Sequence, residues 1–424
     1  MLDRAATAHT SLIRVIANWH DIAPTRPRNP SDPADPAYHF EGFDDLVWQS
    51  GLRGIRVLLT VWGTPRWASA SHKLNASPRP SDLGGFCTAL ATRYSGHYRG
   101  RMFVGYYSVW NEPNKEQFLS PQFDAHRRDV APKVYAAMFR SCAAGIKKAS
   151  PQALVAIGET SPRGSDRPRG VVQASHSPGR FAQLLAQARP QLRFDAWAHH
   201  PYPQGYRGSP TASFSWPNVG VGNLPRFESR LTALFHRRVP LWLTEFAYQT
   251  APEQPSGVTY AQQAAYLGRA FDASVNVPSV GMFVWYIFRD TVGQRWQSGV
   301  LRRNSQPNPS YFTFRSKAAQ HDVANPTIVV PPRPDPRVPL SVVDFKADQV
   351  PGDPPIGMTY RVFDTRGNLA VIGQARAIVP LQGTIDVVLR FRPQPARTYV
   401  ALIDLNDIHG HTSQRRARLL VTRR

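Results

Sequence analysis

The chain has 424 residues, 42% hydrophobic and 19% charged, which excludes a disordered chain and leaves ample material for one large domain and one small one. No apolar run is long enough to cross a bilayer, so no membrane span is expected. The net charge of +22 is dispersed except for Arg415, Arg416, Arg418, Arg423 and Arg424, and no nucleic-acid-binding motif accompanies it, so no nucleic-acid partner is expected either.

The sequence opens MLDRAATAHTSLIRVIANW, without the charged-then-apolar pattern of a secretion signal. Taken as it stands this is a cytoplasmic chain; an extracellular or cell-surface location requires a signal upstream of Met1. Leu2–His9 reads as a short helix. Seven apolar segments come after it at Leu12–Ala17, Gly54–Val61, Phe103–Trp110, Leu154–Gly158, Phe194–His199, Leu241–Thr244 and Val280–Phe288. Several are continuously apolar, the pattern of parallel strands buried on both faces. Helical segments lie between them at Phe40–Ser50, Asp82–Tyr98, Ala131–Ser150, Gly179–Ala188 and Tyr260–Ser274. Strand followed by helix, repeated, predicts an α/β chain whose residues 1–320 form a (β/α)8 TIM barrel. Eight strands are needed and seven are found, so the first strand is expected upstream of Met1 unless the barrel closes differently.

Residues 321–339 form a Pro-rich linker, with six prolines in NPTIVVPPRPDPRVP. Beyond it, strands are predicted at Val338–Phe345, Met358–Phe363, Leu369–Ala377, Gly383–Phe391, Thr398–Asp404 and Arg416–Thr422, a small all-β immunoglobulin-like sandwich over 340–424. The two cysteines, Cys87 and Cys142, both fall in helical stretches. Two buried free thiols are expected, with a single disulfide as the alternative if those helices are neighbours.

Two strand ends carry carboxylates. Val109-Trp110-Asn111-Glu112-Pro113-Asn114 closes the third segment and Leu241-Trp242-Leu243-Thr244-Glu245-Phe246 the sixth. In parallel barrels the C-terminal strand ends carry the active site. A carboxylate closing a buried strand is costly unless paired or used. A lone Glu112 reads as a helix-entry carboxylate or a loop salt bridge, but the six-residue string around it points to function; Glu245 alone reads equally as a salt-bridge partner, and together the two match the pair that glycosidic cleavage requires. His199-His200-Pro201-Tyr202 closes the fifth segment. Adjacent strand residues point opposite ways and no third ligand is suggested, so no metal is expected. Trp19, Trp62, Trp67, Trp285 and Tyr286 stand at strand ends, suited either to the C–H faces of sugars or to rim packing; Trp62 is a candidate substrate contact. Glu159 ends the fourth segment and reads as a rim salt bridge rather than a substrate contact. His20 reads equally as a sugar contact or as part of a solvated loop.

The strings WNEPN and TEF resemble those of the clan A glycoside hydrolases, closest to family 39 and its bacterial relatives, over about residues 3–320. The resemblance implies a retaining (β/α)8 enzyme with Glu112 as acid/base on strand four and Glu245 as nucleophile on strand seven. That count again requires one strand before Leu12. It implies Arg14 beside the nucleophile, where a buried cation would hold Glu245 ionised, with a barrel-end salt bridge as the plain alternative. It implies Asn111 on the sugar 2-hydroxyl, with a helix-entry cap as the alternative. It places His200 and Tyr202 beside the carboxylates, Tyr202 hydrogen-bonded to the nucleophile. It also implies an aromatic near the end of the last strand, assigned to Trp285 with Tyr286 as the rival. No metal or organic cofactor is implied. The expected activity is hydrolysis of O-glycosidic bonds in a polysaccharide or oligosaccharide through a covalent glycosyl-enzyme, by a monomer whose partner is its carbohydrate substrate. A catalytically weak or inactive carbohydrate-binding barrel is the alternative.

Overall fold

The structure is a computed structural model, which describes residues 1–320 except 53–54, 97, 100, 102, 169–173 and 189, and beyond them 341–346, 356–377, 384–389, 398–406 and 412–420. Seven strands, β1 (Leu12–Asn18), β2 (Arg56–Trp62), β3 (Tyr106–Val109), β4 (Leu154–Thr160), β5 (Ala196–His199), β6 (Leu241–Phe246) and β7 (Val280–Trp285), form one sheet in sequence order. Every neighbouring pair is parallel. The helices are α1 (Leu2–Thr7), α2 (Trp19–Ile22), α3 (Glu41–Leu52), α4 (Pro80–Arg93), α5 (Ala131–Ala149), α6 (Pro178–Ala186), α7 (Leu224–Phe235), α8 (Tyr260–Val275) and α9 (Pro309–Gln320). Helix α7 is not among the helices expected from sequence, where its opening turn falls at the end of a long loop. Among the described residues, no helix is long and apolar enough to cross a membrane.

The sheet curls into a barrel. Leu58, Tyr106, Ala156, Ala196, Ala198 and Trp242 form an interior cluster with Leu12, Leu154 and Met282 packed against it. Each of the seven strands contributes to that cluster, and Tyr106 of β3 meets Trp242 of β6 at a ring separation of 5.7 Å, a contact that a flat sheet does not permit between strands three apart. Side chains alternate along a strand, so the same face carries Arg14 after Leu12, Ser108 after Tyr106, His200 after Ala198 and Thr244 after Trp242. The alternation thus runs from apolar filling at one end to polar groups at the C-terminal mouth. The opposite face of the sheet packs on the helices in a second, larger core. Helix α5 shows how: Tyr135, Met138, Phe139, Cys142 and Ile146 are buried at helical spacing.

The expectation of two free thiols is corrected: Cys87 of α4 and Cys142 of α5 are joined in a disulfide. The two helices approach closely because glycines face each other. A Cβ on Gly145 would lie 2.6 Å from the carbonyl oxygen of Gly84, and a Cβ on Gly84 2.4 Å from Ser141 Oγ. That approach brings the cysteine Cα atoms to 5.2 Å, within disulfide reach.

The linker at 321–339 lies outside the described residues, as do the ends of several strands predicted after it. The C-terminal strands are antiparallel: β9 (Ile356–Asp364), β10 (Leu369–Ala377), β12 (Thr398–Asn406) and β13 (Thr412–Leu420) pair in the order β10-β9-β12-β13, while β8 (Ser341–Lys346) pairs with β11 (Thr384–Leu389). The turn predicted at 365–368 joins β9 to β10, with Gly367 at φ 82° and Asp364 Oδ1 accepting from the amides of Arg366 and Asn368. This sheet meets the barrel at the end opposite the mouth. Arg361 pairs with Asp404 at 2.8 Å and donates to the carbonyl of Phe103, just ahead of β3. Phe363 packs edge to face on Trp48 of α3.

Candidate active site

The motif at the end of β3 divides its labour. Trp110 is fully buried and its indole donates to the carbonyl of Phe118. Asn114 takes the amide of Ser161 and donates to the carbonyl of His176, tying this loop to the one after β4. Tyr135 of α5 donates to the Val109 carbonyl and accepts from the Gly158 amide, so one phenol joins the ends of β3 and β4. The Glu112 amide donates 3.0 Å to the carbonyl of Glu159. Held this way, Trp110 and Glu112 adopt φ of 73° and 40°. Such a conformation is costly for a non-glycine residue, and it persists only where surrounding contacts over-determine it.

Inside this frame five strand ends converge. Arg14 of β1 places Nη1 2.6 Å from Glu245 Oε1, and Nη2 2.8 Å from Asn111 Oδ1 and 3.1 Å from Glu159 Oε2. Tyr202 donates 2.8 Å to Glu245 Oε2. His200 sets Nδ1 3.0 Å from Glu112 Oε1 and 3.7 Å from Glu245 Oε2, and Nε2 2.6 Å from Glu159 Oε2. Thr244 also donates to Glu159 Oε2, at 3.0 Å. Glu112, Glu245, Asn111, Arg14, His200 and Tyr202 are therefore gathered in one cluster.

Electrostatics follow from this packing. Burial works against charge on His200, but Glu245, Glu112 and Glu159 outweigh it and push the imidazole up to about 10. Burial likewise opposes ionisation of Glu159, yet Arg14 and His200 hold it down to about 2. The neighbouring His199 has no such partner: burial takes it down to about 3, and its ring bonds Thr160 and the Val219 carbonyl on the outer side of the barrel wall. The phenol of Tyr202 is driven well above its ordinary value, by burial first and by Glu245 second, and so stays a donor. The two histidines point apart, and among the described residues no group of side chains is arranged to hold a metal ion.

Two sequence-based assignments change. Glu159 is not a rim salt bridge. It is fully buried beneath Glu112 and Glu245. Alternation sets it facing outward, but Gly158 and Glu159 take φ of 100° and 46°, and the β4–β5 register shifts there. This irregularity turns the carboxylate inward. Trp285 is not a substrate platform. The residue is 7% exposed, its ring packs on Phe246, and its indole N–H donates to the Ser298 carbonyl. Met282 faces the barrel interior, so strand alternation brings Tyr286, not Trp285, to the same side. Tyr286 feels the charges of Glu245, Arg14 and Glu112. Trp62 ends β2 with its ring edge to face against Phe118. Trp296, in the loop after β7, is not among the residues expected from sequence; it packs against both Tyr202 and Tyr286 at ring separations of 5.4 and 6.1 Å. An unpaired tryptophan beyond the last strand is the only sequence signal for it.

A curled parallel barrel with polar side chains converging at its C-terminal mouth defines the class of fold, that of the (β/α)-barrel proteins. Among solved structures, the chain is similar to a family 39 glycoside hydrolase from the gut symbiont Bacteroides cellulosilyticus WH2, at 19% identity and a TM-score of 0.55, over 94% of this chain and 76% of that one. It is similar also to GH5_18 from Streptomyces cattleya in complex with GlcNAc, at 18% identity and a TM-score of 0.54, over 77% and 74%. A third is a monomeric beta-xylosidase from Caulobacter crescentus CB15, at 15% identity and a TM-score of 0.52, over 95% and 91%. At these identities the likeness establishes a shared fold. No family model and no curated protein matches the chain.

Proposed function

We propose that this chain is a retaining glycoside hydrolase in which Glu112 is the acid/base and Glu245 the nucleophile. The observation that carries this reading is the single imidazole nitrogen, His200 Nδ1, standing 3.0 Å from Glu112 Oε1 and 3.7 Å from Glu245 Oε2. Those two oxygens are no farther apart than the sum of these distances. That limit accommodates the separation of about 5–5.5 Å typical of retention and leaves out all but the shortest of the roughly 6.5–9.5 Å separations that give room for a water between the carboxylates.

The two carboxylates have different settings, and these match different duties. Glu245 is held on one oxygen by the Arg14 guanidinium and on the other by the Tyr202 hydroxyl. Both partners donate to it, and together they orient the carboxylate for attack on an anomeric carbon. Glu112 projects from the loop after β3 and gives its proton to the leaving oxygen. Once the glycosyl ester forms, the charge on Glu245 is gone, and Glu112 activates the water that releases the sugar. Asn111 commits its Oδ1 to Arg14, which leaves the amide nitrogen as a donor for a sugar 2-hydroxyl. Tyr286 and Trp296, packed against each other beside Tyr202, offer faces for the apolar side of the ring.

The antiparallel sheets beyond residue 340 are read as an immunoglobulin-like sandwich that packs on the barrel rather than shaping the site. The disulfide suits an oxidising compartment outside the cytoplasm. Glu112→Ala and Glu245→Gly are each expected to lose about 10²–10⁴-fold in kcat on an aryl glycoside. Added azide is expected to rescue both and to give glycosyl azides of opposite anomeric configuration, read by NMR. Rescue to a single anomer, or full activity in either variant, rejects the assignment.

A further inference from the structure

In a retaining glycosidase of this geometry, the reading on which the inference rests, one buried group has no duty. Glu159 is a third carboxylate, fully buried, on the far side of His200 from the reacting pair. It costs the fold a buried charge and a left-handed backbone, at φ 46°. Arg14 alone does not account for it, since Arg14 already has Glu245 at 2.6 Å. The contact at 2.6 Å between Glu159 Oε2 and His200 Nε2 is among the shortest in the cluster.

An ionised carboxylate only accepts hydrogen bonds, and a histidine nitrogen facing one must therefore carry a proton. We propose that Glu159 is a positioning residue: by taking the Nε2 proton of His200 in a hydrogen bond it keeps the imidazole doubly protonated and fixes Nδ1–H on Oε1 of Glu112. The consequence reaches the chemistry. With Oε1 already accepting from His200, the transferable proton of Glu112 resides on Oε2, the oxygen left for the leaving group. In the first step that proton passes from Oε2 to the glycosidic oxygen as the C–O bond breaks and Glu245 bonds to the anomeric carbon. In the second step Oε2 takes a proton from water as the new C–O bond forms and the ester opens. His200 keeps both its protons throughout.

The groups facing this pair are Arg14, Glu112, Glu245, Tyr202 and His199 from the strands and the loops after them, and Tyr135 from α5. Of these, Glu112 and Glu245 join Glu159 in favouring the imidazolium, and burial and His199 oppose it. Taking away Glu159 removes the one carboxylate that the reaction never neutralises.

The experiment has two arms. In the unaltered protein labelled with ¹⁵N-histidine, and with His200→Gln used for assignment, both ring nitrogens of His200 are expected to show imidazolium shifts from about pH 6 to about pH 9. A neutral, singly protonated His200 near pH 7.5 overturns the proposal, whether or not any glycoside is cleaved. In the second arm, Glu159→Gln is expected to move the alkaline limb of kcat/KM down by at least about one pH unit. It is also expected to lower kcat by roughly 10²-fold with KM changed only a few-fold. An unmoved alkaline limb overturns the proposal and leaves Glu159 as a support for Arg14. If no substrate is turned over, the glycosidase reading fails, but the NMR arm still decides the state of His200.

Discussion

Adjacent aromatic residues at the end of β7 separate packing from binding. Trp285 faces the helical layer against Phe246, and Tyr286 faces the carboxylates. Trp285→Ala is expected to cost about 3–5 kcal/mol of stability, as truncations of buried large aromatics do, and to lower the melting temperature. Tyr286→Ala is expected to leave the melting temperature nearly unchanged and to lower kcat/KM by roughly 10-fold or more, the loss of about 1–2 kcal/mol of contact with substrate. Calorimetry alongside kinetics on the two variants checks both; reversed phenotypes would return the platform to Trp285. The same strand-end geometry explains why Asn111 and Glu112 are recognisable from sequence while Glu159 is not. WNEPN is a dense string, whereas the facing of Glu159 depends on a backbone turn at Gly158 that alternation does not anticipate.

Helices α4 and α5 pack side by side outside β2, β3 and β4, and their disulfide closes a long loop, spanning 55 positions of sequence. In the chain-entropy picture such a crosslink restricts mainly the unfolded state and contributes about 2–4 kcal/mol. Cys87→Ser combined with Cys142→Ser is expected to destabilise the fold by that amount, read as a lower melting temperature, and to leave kcat at ambient temperature within about two-fold, because no side chain of either helix hydrogen-bonds the clustered carboxylates. A melt of the native protein with and without reductant should reproduce the shift. The sequence holds a signal for this pair, Gly84 three residues before Cys87 and Gly145 three after Cys142, but small residues on two helices do not say which helices meet.

The buried charges at the mouth also set how the whole fold responds to pH. His199, held down to about 3 against an ordinary 6.5, stays neutral in the fold while the unfolded chain takes up a proton below 6.5. Stability therefore falls on acidification. Glu159, at about 2 against an ordinary 4.5, acts in the same direction: its contribution is complete above 4.5 and is lost as pH falls through about 2. His200 acts oppositely. Its folded value of about 10 means that its contribution is complete below 6.5 and is lost as pH rises through about 10. The melting temperature is expected to peak near pH 6.5, where these opposing slopes meet. His200→Gln should flatten the alkaline slope and also alter the acid slope, because His200 helps hold Glu159 and His199 down; a slope unchanged on the alkaline side would show that His200 is not its source.

Seven strands, their order, most of the helices and the two catalytic candidates are legible in the sequence because each is a local pattern: apolar runs, helical spacing, and a carboxylate at the end of a run. The strands after the linker are legible for the same reason, and β10 falls on the predicted residues, Leu369–Ala377. Only the tertiary structure decides which groups meet. Arg14, Asn111, Glu159, His200, Thr244 and Glu245 come from five strands spread over more than half the chain, and no spacing rule links them. The inward turn of Glu159, the exchange of Trp285 for Tyr286, and the joining of Cys87 to Cys142 all depend on how distant elements pack in the curled sheet and its helical layer. That packing fixes the facing of each side chain against distant neighbours, and the information is not local in the sequence.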